Sequence, residues 1–270
     1  MSQAQKTFSA PKKTTGQKVS STISWLIVLA LIIWSCTGMS FDWQKALDSM
    51  PIVKRIFQGL FHPEWSFFNE DEGVLDNMII TLETAFFGTS IAALLAVPFG
   101  FLAARNMSKR FVWISWLGKR ILNIIRTLPE LIIAIIFLVA VGPGPFAGML
   151  AIGFHSIGMI GKLYSEAIEN MDEGPMEALT AVGANRIQTL FFAVLPQVLP
   201  EFFSFALYKF EIDVRAASVL GMVGAGGIGT PLLFSLQSQA WNRVGIIFIG
   251  IVIAVVVIDF ISGAIRKRLV

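Results

Sequence analysis

Stretches of about twenty mostly apolar residues recur along this chain, and one helical crossing of ~30 Å of hydrocarbon needs that length. The last is the plainest: from Val244 to Ile258 only Val, Gly, Ile, Phe and Ala occur. No polar position recurs there at helical spacing, so the helix has no face suited to water. Candidate spans are 23–41, 78–104, 122–141, 147–163, 197–219 and 244–264. Only 14% of the 270 residues are charged, against about a quarter in a soluble domain. The expected class is an all-α membrane protein with about six transmembrane helices. A soluble α/β enzyme would show polar faces recurring through its helices.

Two spans need comment. The stretch Ile23–Phe41 is longer than a signal-peptide core and lacks a small-x-small cleavage site, so it reads as a retained signal-anchor helix. In the third span the clean apolar part, Leu131–Val141, is short, so Leu122–Glu130 is counted with it despite Arg126 and Glu130. The preceding Phe111–Leu117 reads as an interfacial elbow helix. The single cysteine, Cys36, has no disulfide partner, and His62 and His155 lie far apart, so neither a disulfide nor a metal site is expected. His155 reads as a packed polar residue within a span.

Six crossings place both termini on one side. That side holds Lys6, Lys12, Lys13, Lys18, Arg105, Lys109, Arg110, Lys119, Arg120, Arg186, Arg266, Lys267 and Arg268, and the opposite loops hold Lys45, Lys54 and Arg55. Cytoplasmic loops carry the Lys/Arg excess, so the termini are expected in the cytoplasm. Topology accounts for these clusters, and nucleic acid is not an expected partner. The expected organisation is a cytoplasmic segment 1–22, a first span 23–41, an extracytoplasmic loop 42–77, a core 78–264 and a cytoplasmic end 265–270. Gly142-Pro143-Gly144-Pro145 is a tight turn.

The longest cytoplasmic stretch between spans, about 164–196, is the natural handle for a cytoplasmic partner. Within it Glu173–Gly183 reads as a short helix, with Pro175 in its first turn, Glu177 complementing its dipole, and Gly183 ending it in a left-handed conformation. Asn185 then caps a second helix running to Pro196.

This segment resembles the cytoplasmic signature of bacterial ABC importer permeases: Glu-Ala-Ala, three residues, Gly, nine residues, Ile, one residue, Leu-Pro. The chain has Glu177, Ala178, Leu179, Gly183, Ala193, Leu195 and Pro196 at that spacing, departing from it at Leu179 and Ala193. The resemblance narrows over residues 77–265. Arg126-Thr127-Leu128-Pro129-Glu130-Leu131, Val141–Gly148, Phe210-Glu211, Val214–Val219 and Gly221–Gly229 are similar to phosphonate importer permeases. Phosphite, hypophosphite and methionine permeases are also similar. The resemblance implies a type I ABC importer permease fold in a bacterial inner membrane. It also implies a homodimer, two separate ATPase subunits that bind ATP and Mg, and an extracytoplasmic binding protein. The segment 173–196 would be the coupling helix, docking through Glu177, Ala178, Gly183, Leu195 and Pro196. No cofactor is expected on this chain.

Lys209, Glu211, Asp213 and Arg215 fall in the fifth span. Each ionisable group at mid-bilayer costs ~2.5–3.5 kcal/mol on the insertion scale, so pairing is expected. Lys209 with Asp213 and Glu211 with Arg215 have the i,i+4 spacing that meets on one face. A two-residue offset turns a helix by ~200°, which sets the pairs on opposite faces. Either both pairs are structural, or Arg215 with Glu211 looks into a polar pathway and lends it positive potential.

Gly221, Met222, Gly224, Gly226, Gly227 and Gly229 form the run Gly221-Met-Val-Gly-Ala-Gly-Gly-Ile-Gly229. It satisfies G-x-G-x-x-G, but no strand precedes it and no acidic residue lies ~20 positions on, so a dinucleotide site is not expected. The expectation is non-helical backbone re-entering the membrane as a gate or pathway lining, with close helix packing as the alternative. The rival class is an ion-coupled secondary transporter using the charged fifth span. Matching broken helices in two halves would mark it, and only one broken region is visible.

Overall fold

The computed structural model describes residues 15–38, 43–107 and 112–269. Lys6, Lys12, Lys13, Lys109, Arg110, Phe111 and residues 39–41 of the first expected span lie outside the described residues, as does the side chain of Lys18. Every described element is helical, with no strand among the described residues.

The chain forms two compact units, residues 1–54 and 55–270. The first contains α1 (Thr15–Gly38), α2 (Trp43–Asp48) and the start of α3 (Met50–Phe61). The apolar helix Ser21–Thr37 inside α1 overlaps the first expected span, 23–41, over residues 23–37. Cys36 lies exposed on it. The expected loop 42–77 thus contains helices, one of them α3, with Pro51 in its first turn, where a missing N–H costs nothing.

In the second unit a 3₁₀ turn (Trp65–Phe68) leads to α4 (Val74–Ala103), α5 (Val112–Thr127), α6 (Glu130–Val141) and α7 (Pro145–Asn170). Then come α8 (Gly174–Ala181), α9 (Arg186–Thr189), a π turn (Leu190–Val194), α10 (Leu195–Leu220), α11 (Gly229–Gln237) and α12 (Trp241–Leu269). Among the described residues four helices are long and apolar enough to cross a membrane: α4, α7, the run Arg186–Val223, and α12. The bent pair α5–α6 makes a fifth if it is counted as one span.

The packing is that of helices in lipid, with small residues inside and large apolar ones outside. Along α4, Thr81, Ala85, Gly88, Ala92, Ala96 and Gly100 form a buried stripe that lies against α7. A Cβ on Gly88 would stand 3.0 Å from Ile152, and one on Gly100 would stand 2.8 Å from the Cβ of Tyr164. Leu94 and Phe260 point outward, 74% and 78% exposed. Tyr164 of α7 stacks on Phe202 of α10 at 3.8 Å between ring centroids.

Two expected boundaries are corrected. The elbow does not end at Leu117, and 122–141 is not one straight helix: α5 runs unbroken to Thr127, and the chain turns by 84° before α6. Pro129, extended at ψ 129°, is the N-cap of α6. Its ring disfavours a helical Leu128, which moves the break there. Nor does the helix capped by Asn185 stop at Pro196. The π turn precedes Pro196, which lies at the start of α10 and lacks the N–H that an unbroken α-helix would use.

Candidate functional site

Local chemistry builds the projecting segment. The N–H of Gly174 donates to Oδ1 of Asp172 (2.9 Å), and α8 ends where Gly183 takes φ +85°. There the N–H of Gly183 donates to Thr180 O (3.1 Å) and that of Ala184 to Leu179 O (3.0 Å). This doubly bonded C-terminus satisfies carbonyls the helix would leave orphaned. Asn185 then forms a capping box with Gln188. The N–H of Gln188 donates to Asn185 Oδ1 (2.9 Å), and that of Asn185 to Gln188 Oε1 (2.8 Å). Gln197 Nε2 donates to Ala193 O (2.8 Å) and to Asp172 O (3.3 Å), tying the base. Glu177, Ala178, Gly183 and Pro196 are exposed, and Leu195 is half-buried. Val182 (80% exposed), Ile187 and Phe192 are exposed with them.

The charged fifth span resolves differently at each pair. Lys209 and Asp213 form the expected ion pair, both fully buried. The other carboxylate oxygen, Oδ2 of Asp213, accepts from Thr89 Oγ1 of α4 (2.7 Å) and Ser156 Oγ of α7 (2.8 Å). One carboxylate therefore joins α4, α7 and α10, which satisfies the condition for burying a charge pair. Sequence spacing did not single out Thr89 or Ser156. The only signal was that each is a polar residue within an apolar span.

Glu211 does not pair with Arg215. Its carboxylate accepts from Nη2 of Arg266 on α12 at 2.6 Å, while Arg215 Nε donates to the main-chain oxygen of Glu211 (3.2 Å) and the side chain is exposed. Helix α12 extends to Leu269, so Arg266 belongs to it. Its guanidinium also lies over the Tyr208 ring at 5.9 Å. Among the described residues four buried side-chain atoms have no hydrogen-bond partner: Oδ1 of Asn106, Oε1 of Glu130 at the first position of α6, Nδ1 of His155, half-buried on α7, and Nε of Arg266.

The glycine run is irregular only over Gly224–Ile228. Gly221–Val223 form a 3₁₀ turn, and Gly229 already opens α11. Gly224, Gly226 and Gly227 take φ +104°, +76° and +70°. Main-chain contacts hold the run. Gly224 O accepts from Gly144 N (2.9 Å), and Ile228 N donates to Thr81 Oγ1 (2.8 Å). A Cβ on Gly226 would stand 2.8 Å from the Pro145 ring, and one on Gly221 would stand 2.8 Å from Gly229. The run therefore rests on the 142–145 turn and on α4, with Gly221, Gly227 and Gly229 buried and Met222, Gly224 and Gly226 half-buried. Among the described residues no group of His, Cys, Asp and Glu is placed to hold a metal.

Residues 96–270 match the family described as binding-protein-dependent transport system inner membrane component. The chain is 38% identical over 243 residues to the phosphite transport system permease protein PtxC of Stutzerimonas stutzeri, covering 90% of this chain and 87% of that one. It is 43% identical over 182 residues to the phosphate-import permease protein PhnE of Mycolicibacterium smegmatis, covering 67% of this chain and 34% of that longer protein. Among solved structures, the MetNI methionine ABC transporter in an inward-facing conformation superposes with a TM-score of 0.62 at 23% identity. That match covers 74% of this chain and 95% of that one, a likeness of fold.

Proposed function

The chain belongs to the family of binding-protein-dependent transport system inner membrane components, and from that premise we propose that it forms the membrane pathway for a phosphorus oxyanion. It is the permease subunit of an ABC importer and has the type I importer permease fold. Relatives named for phosphite, phosphate and phosphonate transport support the substrate class. The segment 173–196 carries the coupling reading: a helix stop ends the short α8 and a capping box opens the long run Arg186–Val223, with apolar side chains exposed for a partner.

In this reading two copies of the chain sit on two ATPase subunits that bind ATP and Mg, beneath an extracytoplasmic binding protein. Glu177, Ala178 and Gly183 engage the ATPase, and Leu195 and Pro196 carry its motion into α10. Nucleotide-driven motion shifts the bundle between outward-open and inward-open states through a difference in free energy between them. The knob and both termini face the cytoplasm. The glycine run, at the opposite end of α10, serves as the outer gate, and exposed Arg215 lends the pathway positive potential.

Uptake into vesicles reconstituted with the ATPase and binding protein tests this. Phosphite or methylphosphonate uptake is expected to require ATP and to survive collapse of ion gradients. Abolition by gradient collapse would instead establish the ion-coupled class. Arg215→Gln is expected to lower uptake several-fold; wild-type rates would remove Arg215 from the pathway.

A further inference from the structure

At the end opposite the coupling knob, an open cavity of about 640 Å³ lies between the C-terminal turns of α3 and the α11–α12 turn. Arg55, Gln58 and His62 line one wall, and Gln239, Trp241 and Asn242 the other. The side chains of Arg55, Gln58, Gln239 and Asn242 make no hydrogen bond or ion pair with any described residue. Acceptors that would compete for them are already covered. The N–H and Nδ1 of His62 both engage Gln58 O, at 3.1 and 3.0 Å. The one carboxylate in the lining, Glu64, is held by Arg243 Nε at 3.1 Å. That leaves Arg55 as the unbalanced charge, with three side-chain amides around it.

The walls are fixed rather than draped. Gly59 approaches the Trp241 side chain so closely that a Cβ would overlap it, and Glu64 N donates to Asn242 O (3.2 Å). Arg243 stacks over Phe67 at 4.9 Å. Gln239 takes φ +55°, a conformation rare for a residue with a side chain. Local strain held by its surroundings clusters where a ligand is gripped.

We propose that this cavity seats a tetrahedral phosphorus oxyanion, with the Arg55 guanidinium as its charged anchor and the amides of Gln58, Gln239 and Asn242 as donors. Arginine matches such an oxyanion by presenting two parallel N–H groups. A free phosphonate and the phosphate of an outer-leaflet lipid share this chemistry. That the occupant is the imported solute rests on the importer reading; the seat itself rests on the cavity.

Binding of methylphosphonate to the full chain in phosphatidylcholine nanodiscs, read by phosphorus NMR, separates the cases. Arg55→Gln is expected to weaken binding at least tenfold and Asn242→Ala about threefold; both altered residues are exposed, so folding is preserved. If methylphosphonate does not bind, but mass spectrometry finds phosphatidylglycerol retained from mixed nanodiscs in an Arg55-dependent way, the occupant is the headgroup. If neither depends on Arg55, or if the substitution alters only affinity for the binding protein, the seat does not exist. In that case ATP-driven uptake with unchanged KM in Arg55→Gln leaves the importer reading standing. Absent wild-type uptake would sink the importer reading and leave Arg55-dependent binding to be judged by itself.

Discussion

Asp213 holds Lys209 on its own helix and accepts hydroxyl hydrogens from Thr89 and Ser156 on two others. Removing one member of a buried pair strands the other charge, which costs about 3–5 kcal/mol, whereas replacing both by apolar residues of similar size is close to neutral. Asp213→Ala is therefore expected to lower the thermal unfolding temperature of the detergent-solubilised protein sharply. Lys209→Met with Asp213→Leu should recover most of that loss, because Thr89 Oγ1 also lies 2.8 Å from the helix carbonyl of Ala85 and can turn to it. Equal losses in the single and double variants would show that the hydroxyl network, not the charge, holds the helices. The pairing of Lys209 with Asp213 was legible because i,i+4 spacing is a property of one helix. The partner of Glu211 was not: Arg266 stands 55 residues away and reaches it only once α12 packs beside α10.

At the scale of elements, the clearest test lies at Gly183. No atom stands within 4 Å of a Cβ built there, so its only constraint is the left-handed φ of +85°. That conformation costs a residue with Cβ roughly 1–2 kcal/mol, and Asn tolerates it. Gly183→Asn is expected to keep binding-protein-stimulated ATPase activity, and Gly183→Val to reduce it several-fold with the bundle folded. Equal activities would mean that the stop after α8 plays no part in docking. The caps of α8 and α9 could be read from sequence because a cap is a contact between residues a few positions apart. The run through Pro196 could not, because the π turn that accommodates it is a backbone adjustment with no residue signature. The 84° turn at Leu128–Pro129 was half legible: proline announces a break, but not how far α5 continues before it.

The whole molecule sets sidedness, and the Lys/Arg distribution predicts it. In a Cys36→Ser background, a cysteine at Gly183 or Arg268 is expected to react only with reagent on the cytoplasmic side, and one at Asn69 only from outside. A reagent-accessible Gly183 position outside the cell would overturn the coupling assignment, since no ATPase could reach it. The residues alone determined that the chain lives in lipid and about where α4, α7 and α12 run, because hydrocarbon thickness translates directly into a length of apolar sequence. They also determined the stop after α8 and the capping box at Asn185, which are contacts between residues a few positions apart. Tertiary structure decided which helix each buried charge serves, and that the glycine run rests on Thr81, Gly144 and Pro145. It also decided that Arg55 and Asn242 share one cavity. Those pairings depend on the rotation and depth of each helix against its neighbours, which the packing of small residues fixes and no spacing along one segment encodes.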